Sequence, residues 1–316
     1  MSRRDFLLRS SVVLAGAALV PWREALSAEP VPSAAAAGTL LIGGDLQVNR
    51  LGFGAMRITG DGVWGEPRDE NEARAVLRRA VALGTNFIDT ADAYGPYISE
   101  RLIREALYPY PRGLLIATKG GQVRPRREEW LPDGRPQHLR AACESSLTRL
   151  KLERIDLYQL HRPDPNVPYE ESVGELAKLQ QEGKIRHIGL SNVDAQQLAQ
   201  ARAIVKVASV QNRYNVADRS SDDVLAVCEQ ERIAFIPWAP LAQGAQKSTA
   251  PDKRLVALDA LAKERHIDKN QANLAWLLAR SPVMLPIPGT SRVDHLEDNV
   301  GAADVKLTAQ EMARVG

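Results

Sequence analysis

The chain has little that would tie it to disulfide, metal or nucleic-acid chemistry. Of 316 residues, 2 are cysteine. Cys143 and Cys228 lie far apart in helix-like segments, so neither a disulfide framework nor zinc spacing is present, and both read as single buried thiols. Charge of one sign is missing too: 41 Lys and Arg stand against 39 Asp and Glu, a formal net charge of +2. No basic stripe alternates with aromatics, so there is no electrostatic case for nucleic acid. The run Arg124-Pro125-Arg126-Arg127 is followed at once by Glu128 and Glu129 and reads as a solvated loop. The apolar stretch Ser10–Val20 is about 11 residues, too short to span a bilayer, and no stable membrane insertion is expected. No nucleophile–base pair of the Ser/His/Asp type and no metal cluster is evident.

What the N-terminus does hold is Ser2-Arg3-Arg4-Asp5-Phe6-Leu7, then that apolar stretch, then small residues at Ala25, Ser27 and Ala28 and a Pro-Ala linker to Gly38. This is the layout of a cleavable export signal. The paired arginines resemble a twin-arginine signal, which implies the twin-arginine export machinery as a partner and a periplasmic or exported location. A cytoplasmic protein with an unused signal is the other reading. Removing residues 1–28 would take four arginines and two acids and leave no net charge. The expected organisation is residues 1–38 as export signal and linker and 39–316 as one domain.

With 44% hydrophobic residues the chain can bury a large core. Residues 40–48 read as a β-hairpin about Gly43-Gly44-Asp45. Strand patterns then recur at 50–54, 85–89, 114–118, 154–160, 185–190, 207–211, 234–238 and 283–287. Helical patterns occupy 69–83, 98–107, 137–150, 169–181, 194–203, 218–231 and 253–279, the last broken near His266-Ile267-Asp268, with a further helix at 292–300. Eight continuous apolar strands alternating with helices predict an α/β fold, a (β/α)8 TIM barrel behind an N-terminal hairpin. An open doubly wound sheet is the runner-up. The strand count and the lack of a Gly-x-Gly-x-x-Gly turn opening the first helix argue against it. Gly52-Phe53-Gly54-Ala55-Met56 is taken as a strand-end loop lining the mouth.

In a barrel the active site lies where strands end. Asp89, Lys119 and His161 close the second, third and fourth strands, and Tyr94 follows on the loop after Asp89. Strands about 4.8 Å apart let these side chains converge. An ammonium near a phenol favours the phenolate and lowers its pKa, so Lys119 can tune Tyr94 while Asp89 holds Lys119. His161 can hydrogen-bond a substrate oxygen opposite Tyr94. Such a site suits protonating a developing alkoxide, with the hydride drawn from a cofactor. Singly, each residue has a plainer reading: a helix cap for Asp89, loop packing for Tyr94, a surface lysine, a satisfied histidine. Asp92, three residues beyond Asp89, gets a turn or capping role and no catalytic one.

Phe87–Gly95, Ala117-Thr118-Lys119-Gly120, Asp156–Asp164, Ile188–Asn192, Val210–Asn215 and Ile287–Arg292 together resemble the aldo-keto reductases, from about Leu40 to the C-terminus. The resemblance implies Tyr94 as general acid in a tetrad with Asp89, Lys119 and His161, and NADPH or NADP bound extended across the mouth. It implies Ser191, Asn192 and Gln211 on the nicotinamide carboxamide and Trp238 stacked on the ring. Gly54, Met56, Pro240 and Leu241 would lie along the cofactor. Gly289, Thr290, Ser291 and Arg292 would grip its adenosine end, with His295 and Asn299 near the adenine. Arg292 is the expected partner of the 2′-phosphate, and the start of the following helix favours an anion there. No metal is implied. Asp61–Gly65 and Arg219–Asp222 look most like bacterial pyridoxal reductase-like members. Trp238-Ala239 replaces the commoner Tyr-Ser, and the chain ends at Gly316 just inside what reads as the last helix. That predicts an open mouth, with Met56, Trp64, Tyr94 and Trp130 as walls beside His161 for a small carbonyl substrate. Two other readings compete with a reductase of aldehydes and ketones. One is an NADP(H)-binding sensor or regulatory subunit with little turnover. The other is a barrel enzyme on phosphorylated sugars.

Overall fold

A parallel sheet curls until its two edges are joined by a segment that is itself too rich in proline to be a strand. The structure, a computed structural model, describes residues 31–241 and 252–316. The export-signal reading at residues 1–28 lies outside the described residues. The first ladder is an antiparallel hairpin, β1 (Thr39–Ile42) with β2 (Leu46–Asn49), as expected. The main sheet contains β3 (Phe53–Gly54), β4 (Phe87–Asp89), β5 (Leu115–Gly120), β8 (Ile155–Leu160), β9 (Ile185–Ser191), β10 (Val207–Gln211) and β11 (Ala234–Phe235). Every neighbouring pair is parallel, in the order β11-β10-β9-β8-β5-β4-β3. Between β5 and β8 a short antiparallel pair, β6 (Gln122–Val123) and β7 (Leu131–Pro132), folds over the mouth.

The expected eighth strand, 283–287, is a correction. Pro286 inside this segment and Pro282 and Pro288 flanking it each lack a backbone donor, so a regular ladder cannot form. It bridges β11 at Phe235–Met284 instead, and Leu285 N–H donates to Phe235 O at 2.8 Å. On its other side Gly52 N–H donates to Pro286 O at 2.9 Å and Gly54 N–H to Pro288 O at 3.3 Å. The barrel is thereby closed by hydrogen bonds at both edges. The seam is tight: a Cβ at Gly54 would meet Ile287 O at 2.6 Å, and one at Gly289 would meet Gly54 O at 2.5 Å. Pro237 likewise cuts β11 shorter than the expected 234–238.

Helices α1 (Glu70–Ala82), α2 (Ile98–Leu107), α3 (Pro136–Leu150), α4 (Tyr169–Gln181), α5 (Ala195–Arg202), α6 (Asp222–Glu231), α7 (Lys253–Glu264), α8 (Lys269–Arg280), α9 (Val293–Gly301) and α10 (Ala309–Val315) complete the described residues. The break between α7 and α8 falls where the sequence predicts it, with Asp268 capping α8 in a capping box. Helix α6 starts later than expected because Asp218 folds the chain into a turn, accepting from Ser220 N at 3.2 Å and from Arg213 Nε at 2.8 Å. Side-chain alternation along the strands sorts the core. Phe87, Leu115, Ala117 and Leu157 fill the lumen with Ile42 and Val48 of the hairpin, while Ile88 and Ile116, and Tyr158 and Leu160, pack outward under the helices. The turn Ala34–Ala37, inside the segment read as linker, packs on the barrel: Ala34 is fully buried and its N–H donates to Leu83 O at 2.8 Å. Cys143 and Cys228 are buried free thiols, each pushed up to about 12 by burial. Among the described residues no helix is long and apolar enough to cross a membrane.

Candidate active site

The inward alternation that fills the lumen with apolar residues turns polar at the strand ends. On β4 the inward positions run Phe87 then Asp89. On β5 they run Leu115, Ala117, Lys119, and on β8 Leu157, Gln159 and then His161 just past the strand. The three strand ends meet at one point. Lys119 is fully buried, and its Nζ lies 2.6 Å from Asp89 Oδ2, 2.8 Å from the Thr90 carbonyl and 3.4 Å from Tyr94 Oη. An ammonium has three protons and no acceptor capacity. All three are therefore directed, and Tyr94 accepts from Lys119. The phenol's own proton is left to point elsewhere.

Asp89 receives two more donors, Gln159 Nε2 at 3.0 Å and Gln211 Nε2 at 2.8 Å, both on Oδ1. Gln159 escapes the sequence reading, although it sits two residues before His161 on the same strand face. Gln211, expected on a carboxamide, here fixes Asp89. The His161 ring stands edge-on to Tyr94 with centroids 5.8 Å apart. Burial, with Lys119 and Arg162 nearby, holds its imidazole well below the usual histidine range, so it is neutral. The expected lowering of Tyr94 does not hold. Burial outweighs the pull of Lys119, with Asp89 opposing that pull, and the phenol lies above its ordinary value. Lys119 is raised: burial works against its charge, but Asp89 and Tyr94 together win. At neutral pH the site holds a protonated phenol beside a protonated amine.

These groups floor a cavity of about 520 Å³. Gly54, Met56, Asp89, Tyr94, Trp130, His161, Ser191, Asn192, Gln211, Trp238, Pro240, Leu241 and Gly289 all line it, as the sequence predicts. Asn192 ties several strand ends together. It sits in the left-handed region at φ 57°, which asparagine tolerates better than most residues. Its side chain donates to His161 O at 3.1 Å and Ser191 Oγ at 3.0 Å, and accepts from Trp238 Nε1 at 3.2 Å. Arg57, Gln122, Arg162, Arg213, Ala239 and Ile287 also line the cavity and were not anticipated. A second cavity of about 970 Å³ shares Met56 and Arg57 and adds Ser291 and Arg292. Arg292 is exposed and pairs with Asp294, and its N–H donates to Thr290 Oγ1 at 3.1 Å just before α9. Thr290 is buried, His295 is exposed and Asn299 is buried, and none of the three lines either cavity.

Two readings of loop residues need correction. Arg124 is not solvated: it is 7% exposed. Its guanidinium donates to the carbonyls of Val63 at 3.0 Å, Gly62 at 3.2 Å and Glu129 at 3.1 Å, and also to that of Arg127. It lies 3.6 Å from the centroid of the Trp130 ring, and so fixes a cavity wall. Pro125, Arg126 and Arg127 of that run are exposed. Trp64 does not line the cavity. It pairs with Gly95 and packs behind Arg124, bracing the loop that carries Tyr94.

With this geometry in place the comparisons are informative. The family model described as the aldo/keto reductase family matches residues 50–316. The chain belongs to the aldo/keto reductase family. It is 50% identical over 289 residues to an uncharacterized oxidoreductase of Schizosaccharomyces pombe, covering 92% of each chain. To the pyridoxine 4-dehydrogenase of Escherichia coli K12 it is 42% identical over 278 residues, 85% of this chain and 94% of that one. Among solved structures, an aldo-keto reductase of Klebsiella pneumoniae in complex with NADPH superposes with a TM-score of 0.72 at 27% identity, covering 90% of this chain and 94% of that one. As an aldo/keto reductase the protein is an oxidoreductase with an α/β barrel.

Proposed function

We propose that this aldo/keto reductase is an NADPH-dependent reductase of aldehydes and ketones, running reversibly between carbonyl and alcohol, with Tyr94 as general acid. The observation that carries the reading is the directed ammonium. Lys119, held by Asp89 and Thr90 O, leaves Tyr94 only the acceptor role toward it, so the phenol proton is available to a substrate oxygen in the cavity. A neutral His161 beside it can donate a second hydrogen bond to the same oxygen without bringing charge. Raised by burial, Tyr94 stays protonated at neutral pH and becomes a stronger donor as negative charge develops on that oxygen.

The lining residues fit a dinucleotide. Ser191 and Asn192 present amide and hydroxyl groups beside the Trp238 indole, and the glycine seam at Gly54 and Gly289 keeps the wall between them low. The two cavities, which share Met56 and Arg57 in their linings, suit an extended molecule with Ser291 and Arg292 at its far end, next to the α9 N-terminus. When bound, such a cofactor supplies the hydride that reduces the carbonyl carbon. The similarity to a reductase solved with NADPH supports this choice.

The test is loss of NADPH absorbance with a panel of aldehydes. Tight NADPH binding without turnover on any of them would favour the sensor reading. For the phosphate, Arg292→Ala should weaken NADPH about tenfold more than NADH by fluorescence titration, since a guanidinium–phosphate contact is charge-assisted. Equal loss for both would remove Arg292 from that role. Export by the twin-arginine pathway is a separate proposal resting on Arg3 and Arg4. Arg3→Lys/Arg4→Lys should retain the protein in the cytoplasmic fraction, and unchanged fractionation would sink it.

A further inference from the structure

The mouth of the main cavity is electropositive beyond what the proton-transfer floor requires. Its lining holds three guanidinium groups, Arg57, Arg162 and Arg213, and one acid, Asp89, whose oxygens are taken up by Lys119, Gln159 and Gln211. The three arginines differ in what surrounds them. Arg213 is ion-paired to Asp218 at 2.8 Å and packs against the Trp238 ring. Arg57 borders both cavities, beside the residues assigned above to the far end of the cofactor.

Arg162 is another matter. It is exposed, adjoins His161, and makes no hydrogen bond or ion pair among the described residues. The nearby acid, Asp164, has its two oxygens engaged by backbone, accepting from Gly134 N at 3.0 Å and Asn166 N at 2.9 Å. The same cavity has apolar walls, Met56 and the edge-to-face pair Tyr94–Trp130 with centroids 6.4 Å apart. A substrate seated with its carbonyl at Tyr94 and its body against these walls shares the cavity with the Arg162 cation.

We propose that the carbonyl substrate is anionic, with a carboxylate or phosphate distal to the carbonyl that Arg162 grips at the cavity mouth. This rests on the reductase reading above and names the substrate class for that same site. A guanidinium fork matches both kinds of oxyanion.

The experiment uses the NADPH-loaded full chain with 4-formylbenzoate and its methyl ester, which differ only in the distal charge, and 4-formylphenyl phosphate as the phosphate arm. Wild type should favour an anion over the ester by about tenfold in kcat/KM, as expected for one charge-assisted contact, and the preference should shrink with added salt. Arg162→Met should lose that preference through KM, with kcat and the ester unchanged, and Arg162→Lys should recover part of it. Whichever anion responds more identifies its class. Equal kcat/KM for the ester and both anions in wild type, or equal losses on all three in Arg162→Met, would overturn the proposal. If no aldehyde turns over, the reductase reading fails, and calorimetric binding of 4-formylbenzoate to the NADP-loaded protein decides this one: loss of binding in Arg162→Met sustains it, and unchanged binding overturns it.

Discussion

Two ion pairs, each with at least one fully buried partner, lie on opposite sides of one strand, one residue apart. Lys119 points into the lumen of β5 and meets Asp89 at 2.6 Å; Thr118 points out and donates to Glu100 of α2 at 2.6 Å, which in turn meets Arg149 of α3 at 2.6 Å. Lys119 and Glu100 are both fully buried. By distance the two assemblies are equivalent; in burial they differ at one end, since the Arg149 side chain is 21% exposed whereas those of Lys119 and Asp89 are 0% and 2%. They differ in what lies next to them. The third proton of Lys119 is directed at a phenol that faces a cavity, whereas Arg149 donates to Ser146 at 3.1 Å and packs over the Tyr97 ring, among helices. A buried ion pair therefore marks an active site here only because the strand's pleat turns it toward open space. The outer pair ties two helices to the sheet.

The contrast can be broken by substitution. Lys119→Met should lower kcat by about 10²–10⁴-fold, the range for losing an assisted proton transfer, with NADPH affinity nearly unchanged. Steady-state kinetics with a cofactor titration check this, and a variant that turns over normally would make the inner pair structural. Glu100→Gln should instead destabilise the fold by about 3 kcal/mol, since it leaves Arg149 without its counter-charge, and spare kcat. Denaturant melts and kinetics together separate the two pairs; a Glu100→Gln enzyme that is stable but inactive would erase the distinction.

Asp92 sharpens the comparison with a smaller effect. It sits between the pairs, 4% exposed, with Oδ1 lacking a partner among the described residues. Burial, then repulsion from Glu100, raises its carboxyl well above the usual range. A raised folded-state value means that the folded protein keeps a proton the unfolded chain has already lost. That contribution is complete below the unfolded value of 3.8 and is lost as pH rises through the folded one. Asp92→Asn mimics the neutral acid, so its stability relative to wild type should grow as pH rises through that window and then level off. A difference independent of pH would show Asp92 to be ionised.

Much of this was legible from the sequence because strand ends are local. Hairpin, helices and the Asp89, Tyr94, Lys119 and His161 set follow from apolar runs and the polar residue that closes each. Gln159 could have been found by extending the same two-residue alternation backward from His161. Other features depend on partners remote in sequence. Arg124 looks solvated beside Glu128 and Glu129, yet its guanidinium satisfies carbonyls of the Gly62-Val63 loop. The segment 283–287 reads as a strand by composition, but only the folded barrel shows it hydrogen-bonded to two edges at once. The Tyr94 phenol lies above rather than below its ordinary value: the charge of Lys119 is visible in the sequence, whereas the burial that outweighs it is not.

The central claim is that the Lys119-directed phenol of Tyr94 delivers the proton. Single-turnover reduction of an aldehyde by NADPH-loaded Tyr94→Phe tests it most directly, because Phe keeps the ring against His161 and Trp130 and removes only the hydroxyl. The account predicts a rate at least about 10²-fold below wild type with NADPH binding intact. A single-turnover rate equal to wild type would contradict it.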